Sequence, residues 1–254
     1  MAAVSDTKSK KRTQGTAHGR VYAGLKSALM NGDFLPGQRL VVRSLAERFE
    51  TSAMPVREAL RQLVSEAALV DHPNRGVIVP DATVEVIADL VRVRCSIEGA
   101  ATEWAASTIS PDELETILRL NEGMEKCTSQ SDAEDYLALN REFHFAVYKA
   151  SRSLVLQPII ERLWLRAGPW LNIMREEATL GLGLDHHSEI VEGLRKGDGA
   201  RARRALVADI TDAADIMLRA ASSPDFGHAM SRRSVKRAAP AGRARIARRA
   251  RSPR

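Results

Sequence analysis

Apolar positions in the first eighty residues change period several times. Val21, Leu25, Ala28 and Leu29 recur at helical spacing and predict a first helix from Gly19 to Met30. Gly32 ends it, and Pro36-Gly37 makes a turn. Leu40-Val41 is a short apolar run that predicts a strand. Leu45, Ala46 and Phe49 share one face of a second helix from Val42 to Phe49. Thr51 and Ser52 are N-cap residue types ahead of a third helix, about Ala53 to Ala67. Pro55 falls in its first turn, where a missing N–H costs nothing. Leu69-Val70 and Val77-Ile78-Val79 then flank a Pro/Asn/Gly turn over 72–76, which is a hairpin pattern. Helix, helix, turn, helix, hairpin is the order of a winged helix-turn-helix.

From Thr83 onward the pattern is helical throughout. Val84, Ile87, Leu90, Val91, Ile97, Ala101 and Trp104 trace one stripe. Ser110-Pro111-Asp112-Glu113 reads as a capping box with Pro at the first helical position. Ser131-Asp132-Ala133-Glu134 reads as a second, opening a helix to about Ala150. Further helices are expected at about 153–178, 185–196 and 198–221, separated at Gly181/Gly183 and Gly197/Gly199. The expected fold is mainly α. A winged helix-turn-helix over 18–80 precedes an antiparallel helical bundle over 81–222, between tails at 1–17 and 223–254.

The chain has 254 residues, enough for two modest cores. Its 44% hydrophobic and 28% charged residues are those of a globular protein, and aromatics at 4% favour helix over sheet. No run of 18 apolar residues predicts a membrane span, and residues 1–20 lack the apolar core of a signal peptide. Cys95 and Cys127 are too few for a disulfide scaffold or a zinc cluster. A cytoplasmic location is expected. The formal charge of +6 is unevenly divided. Residues 227–254 hold ten Lys or Arg and no acid, residues 1–20 are +4, and 21–226 are −8. An acidic globule therefore carries two cationic tails, which give weak, salt-sensitive attraction to polyanions.

The helix-turn-helix order predicts that the first domain reads DNA. The second helix of a helix-turn-helix lies in the major groove, and here its first turn carries Arg57, which can pair in two places with guanine. Ser52 at its N-cap and the free N–H groups of the helix can hold a phosphate. Arg43 opens the preceding helix, and Arg75 and Gly76 sit at the hairpin tip, where a wing touches the minor groove. Each arginine alone is an ordinary solvated charge; their convergence on one motif carries the reading.

In the bundle, Asn140 and His144 lie four apart on one helix face, His187 on a later helix and Asp209 on the last. A divalent metal such as zinc, nickel or manganese accepts imidazole nitrogen with carboxylate or amide oxygen. His186 and His187 diverge by about 100° around a helix, so at most one faces a shared pocket. Arg94 is either the partner of an anionic effector or half of an i,i+4 pair with Glu98.

Several fixed spacings coincide in residues 32–40 (Gly-Asp-Phe-Leu-Pro-Gly-Gln-Arg-Leu), Leu45-Ala46-Glu47-Arg48-Phe49, Pro55-Val56-Arg57-Glu58-Ala59-Leu60-Arg61-Gln62-Leu63 and Pro73-Asn74-Arg75-Gly76-Val77. Together they resemble the GntR family of bacterial regulators, in its FadR branch. The resemblance implies a homodimer whose winged helices grip a short palindromic operator, with Arg43, Ser52, Arg57 and Gly76 at DNA-contact positions. Ala53 and Met54 stand where many members carry Arg and Thr. Arg94-x-x-x-Glu98, Asn140-Arg141-Glu142-Phe143-His144 and His187-Ser188-Glu189-Ile190, followed by Gly197-Asp198, resemble the FCD domain of the same branch. There an Asp and three His often hold a metal whose coordination a small carboxylate completes. His144 and His187 match ligand histidines. Asn140 stands where Asp is usual, and Asp209 where the last His is usual. The combined expectation is a ligand-responsive repressor of transcription, modulated by an organic acid and not an enzyme. A metal-dependent hydrolase on the bundle is the alternative, and no nucleophile–base pair, phosphate loop or HExxH motif supports it. A non-specific nucleoid-type DNA binder is the third reading, motivated by the C-terminal tail.

Overall fold

The computed structural model describes residues 15–130, 132–174 and 183–222. The basic tails, apart from residues 15–17, lie outside the described residues, as do Ser131 and 175–182. The elements are α1 (Ala17–Met30), α2 (Val42–Arg48), α3 (Ala53–Ser65), β1 (Val70–His72), β2 (Gly76–Ile78), α4 (Val84–Thr108), α5 (Pro111–Gln130), α6 (Ala133–Ala150), α7 (Leu156–Met174), α8 (Leu184–Lys196) and α9 (Gly199–Ala221). Among the described residues this is a winged helix-turn-helix followed by a bundle of six helices.

α1 begins two residues before the expected Gly19, because the Thr16 hydroxyl accepts from the Gly19 N–H and caps the first turn. Leu25 and Leu29 of α1 pack with Leu45 of α2 and Val56, Leu60 and Leu63 of α3 in a closed core. Each such fully buried side chain contributes about 1.5–3 kcal/mol. The hairpin pairs Val70 with Ile78 and His72 with Gly76. Gly76 closes its turn at φ 66°, a conformation that L side chains rarely adopt. Leu40-Val41 is not a strand. Arg39 alone bridges to Ile78, and Val41 is 45% exposed as the residue before α2. The Pro36-Gly37 turn leaves only a short approach to the wing, held by Leu40 N–H donating to the Val77 carbonyl and Val79 N–H to that of Gln38.

In the bundle, α4 packs most extensively on α9. The buried face of α4 uses small residues, Gly99, Ala101, Thr102, Ala105 and Ala106. That choice overturns both ends of the expected stripe: Val84 is 40% and Trp104 49% exposed. The first capping box is as read, with Ser110 and Glu113 exchanging hydrogen bonds. The second is displaced by one residue: Asp132 is the N-cap, and its carboxylate accepts from the Asp135 N–H. α7 starts at Leu156 rather than 153, because the Ser153 hydroxyl accepts from the Leu156 N–H and caps the helix. Asp198, expected as helical, is the N-cap of α9.

The two domains touch through α1. Gly168 of α7 lies against its backbone, where a Cβ would come within 2.3 Å of the Leu29 carbonyl oxygen and 2.7 Å of Met30 Cα. Lys26 pairs with Glu161 at 2.6 Å, and Arg141 of α6 donates to the Ser27 hydroxyl at 3.2 Å.

Candidate DNA-reading surface and candidate metal centre

The reader presents its chemistry outward. Ser52 is the N-cap of α3, but its hydroxyl makes no capping bond. It is exposed, and so are Arg57, the fifth residue of α3, and Arg75 and Gly76 at the wing tip. Neither the Arg57 nor the Arg75 side chain has a bonded partner among the described residues. Arg43 has only a loose exposed pair with Glu47, at 3.3 Å, and such pairs contribute about 0–1 kcal/mol and exchange easily. A Cβ on Gly76 would meet nothing within 4 Å, so the glycine serves its φ and leaves the wing tip open. Met54, at the start of α3, is 62% exposed, so an apolar side chain stands on the surface that Ser52 and Arg57 share.

The bundle does the reverse. His144 of α6, His187 of α8 and Asp209 of α9 converge, with one donor atom from each within 4.8 Å of the others. His144 Nε2 is 3.4 Å from Asp209 Oδ2, and His187 Nε2 is 3.4 Å from Asp209 Oδ1. Both histidines are buried, His187 completely. Both ring nitrogens of His187 are buried without a hydrogen-bond partner, which is costly unless something binds there. The Asp209 carboxylate fits because residue 183 is glycine: a Cβ there would lie 2.5 Å from Oδ1. Gly183, read from the sequence only as a helix break, is thus a structural part of the site. His186 points elsewhere, pairing with Asp212 at 2.7 Å, as the angular divergence required. Asn140 is half-buried on the wall of the same cavity as His144, Gly183, Asp209, Trp164 and Arg94. That cavity has about 60 Å³ of free space, room for an ion with a few small ligand atoms.

Burial lowers the His144 pKa, against the opposing pull of Asp209. Burial would raise the Asp209 carboxyl, but the two histidine rings beside it, His187 first and then His144, hold it well below the usual carboxylate range. Arg94 forms the intrahelical pair: Nε donates to Glu98 Oε1 at 2.7 Å and Nη2 to Oε2 at 3.1 Å. Its guanidinium also stacks 5.1 Å from the Trp164 ring centre. Glu98, fully buried, was noted in the sequence only as a partner for Arg94. It also accepts from the Tyr148 hydroxyl at 2.5 Å and from Trp164 Nε1 at 3.1 Å.

Two imidazoles and one carboxylate that converge within 4.8 Å make a donor set for a divalent cation, with Asn140 on the wall of the adjoining cavity, and the orphaned His187 nitrogens fit that use. The site could supply a Lewis-acidic centre for an anionic ligand. None of the described helices is long and apolar enough to cross a membrane.

Residues 17–79 match the family described as bacterial regulatory proteins, gntR family, and residues 89–212 match the FCD domain. The HTH-type transcriptional regulator McbR of Escherichia coli K12 is 32% identical over 190 residues, which are 74% of this chain and 86% of that protein. The HTH-type transcriptional repressor GlaR of the same strain is 25% identical over 195 residues, 71% of this chain and 86% of its own. The solved structure of E. coli McbR/YncC superposes with a TM-score of 0.75 at 28% identity, covering 81% of this chain and 99% of that one. These relatives are named as regulators, not as enzymes. With both halves matched in order, the chain belongs to the GntR family of bacterial transcription regulators, in its FadR branch, with an FCD domain behind the winged helix-turn-helix.

Proposed function

We propose that this regulator is a repressor that binds a palindromic operator as a homodimer and is released or modulated by a small carboxylate-bearing metabolite. Arg43, Ser52, Arg57, Arg75 and Gly76 face the DNA in this reading. Asn140, His144, His187 and Asp209 would hold a divalent zinc, nickel or manganese ion, which would supply a Lewis-acidic centre for the effector carboxylate. Arg94 lies on the cavity wall with its charge paired to Glu98, and in this reading it offers the effector the N–H groups that Glu98 does not use. The similarity to GlaR, named as a repressor, supports the sign of regulation. A single small reader per chain supports the dimer, because one such unit reaches specific affinity poorly alone. Such a protein works in the cytoplasm, with the DNA. The C-terminal tail adds sequence-independent, salt-sensitive affinity.

One observation carries the coupling. The α7 segment that lines the cavity with Ala167, Trp170 and Leu171 presses Gly168 onto the backbone of α1 in the reader. A ligand that moves this wall moves α1. The test is selection of DNA from a random pool by the purified full chain, followed by gel shift of the selected duplex with zinc and a panel of organic acids. The expected result is a two-fold symmetric site, preferred by about 10³-fold or more over bulk DNA, and its release by one class of acid. Equal affinity for bulk DNA would sink the reading in favour of a nucleoid-type binder. Monomers by light scattering that still grip the site would remove the dimer.

A further inference from the structure

We propose that Met54 is a specificity residue of the reader: its side chain covers the 5-methyl group of a thymine, in the base pair next to the guanine that Arg57 reads. The inference rests on α3 lying in the major groove, as proposed above.

Met54 is the second residue of α3 and is 62% exposed. It lies neither in the core nor among the partly buried residues that pack against it. The other exposed residues of α3 are Ala53, Arg57, Glu58, Arg61 and Ser65, so Met54 is the one large apolar group on that surface. Arg57 follows it at i+3 and Arg61 at i+7, which places all three on one side of the helix. Neither arginine has a bonded partner among the described residues. Glu58 is the single acid on the same surface. A cationic surface around one apolar group complements a polyanion that carries an apolar group of its own. The DNA phosphates supply the charge, and of the base edges in the major groove only that of thymine carries a methyl.

The side-chain chemistry points the same way. A thioether has no N–H to donate and accepts only weakly. Over guanine it would cover the N7 and O6 acceptors and leave them without partners, which is costly. Over thymine it removes a methyl from water, and its unbranched, polarisable chain adapts to that shape. Three residues of helix rise about 4.5 Å and base pairs lie about 3.4 Å apart, so side chains at i and i+3 meet neighbouring pairs. Ala53, the first residue of α3, adds no bulk that would hold this end of the helix off the bases.

The experiment uses the purified full chain and the duplex it selects from a random pool. Each thymine of the half-site is replaced in turn by deoxyuridine, which pairs identically and lacks only the methyl. One replacement should weaken wild-type binding about fourfold by gel shift, the worth of one buried methyl group. It should lie beside the guanine whose substitution Arg57→Ala no longer feels. Met54→Gln keeps the length and helix propensity of the side chain, and should bind the thymine and deoxyuridine duplexes equally. A wild type indifferent to every deoxyuridine overturns the proposal, and so does a half-site with no thymine beside that guanine. A thymine preference retained in Met54→Gln overturns it as well, because another group then reads the methyl. Each of these results leaves α3 as the reading helix. A wild type with no preferred site at all overturns both readings together.

Discussion

The reader and the bundle leave polar groups without partners in opposite places. In the reader they are outside: Arg57, Arg75 and the Ser52 hydroxyl lie on an exposed surface. In the bundle they are inside: His187 is fully buried with both ring nitrogens orphaned, next to an Asp209 carboxylate that only Gly183 gives room for. An exposed unpaired cation costs nothing, because water solvates it. It marks a surface that gains by meeting a polyanion. A buried unpaired imidazole loses its water contacts without replacement, so it persists where a ligand restores the balance. The same symptom therefore points to DNA in one domain and to a small cation in the other.

The largest expected effect lies on the buried side. At free zinc about 1,000 times its dissociation constant, the native state gains about 4 kcal/mol, visible as a raised melting temperature. His144→Ala and His187→Ala should each abolish that rise, while His186→Ala, whose ring pairs with Asp212, should keep it. A rise that survives His187→Ala would take the metal away from this site. No rise in the wild type, with no metal by elemental analysis, would leave a polar pocket that holds its effector by hydrogen bonds.

Next comes the seam between the two regions. Gly168→Val puts a side chain into the α1 backbone, and backbone yields poorly. The expected cost is about 1–3 kcal/mol in urea unfolding, with reduced response of DNA binding to effector. Unchanged stability and response would show that the seam is loose and that the domains act independently.

On the exposed side, Arg57→Ala should cost about 1–3 kcal/mol on the selected duplex and much less on random DNA, by gel shift at fixed salt. Equal losses on both would reduce Arg57 to a phosphate contact, and the contrast between a specific surface and a merely cationic one would go with it. The smallest effect concerns the fastening of the reader itself. The Tyr22 hydroxyl shares its one proton with the carboxylate of Glu66, the C-cap of α3, lying 2.8 and 2.9 Å from its two oxygens. Burial first, then Glu66, push its pKa up to about 12. A raised pKa means that the fold favours the protonated form. The stabilisation is therefore full below the unfolded value near 10 and disappears as pH rises through about 12. Tyr22→Phe should cost about 1 kcal/mol at neutral pH, and that difference should vanish over this alkaline window. A difference that persists to pH 12 would assign the effect to packing.

Local signals worked where one element sufficed. Val21, Leu25, Ala28 and Leu29 marked the buried face of α1, and Ser110-x-x-Glu113 marked the start of α5. They failed where a neighbour decided. Leu40-Val41 had strand chemistry but only the length of one bridge to pair with the wing. Trp104 fitted an apolar period, yet α4 buried its small residues instead to approach α9 closely. Asp132 outcompeted the neighbouring serine position as a cap, a choice between two good candidates that spacing alone leaves open.

The sequence by itself determined the kind of protein: helical periods, turn residues and fixed spacings name a winged reader ahead of a helical domain, because these are local properties of a few consecutive residues. It also named His144, His187 and Asp209 as donors. Only the tertiary structure decided that they meet within 4.8 Å, that Gly183 makes the space, and that Glu98 reaches His144 through Tyr148, fifty residues further along the chain. Those relations join α4, α6, α8 and α9, and convergence of separate helices is set by how their faces pack, which no short stretch of sequence contains.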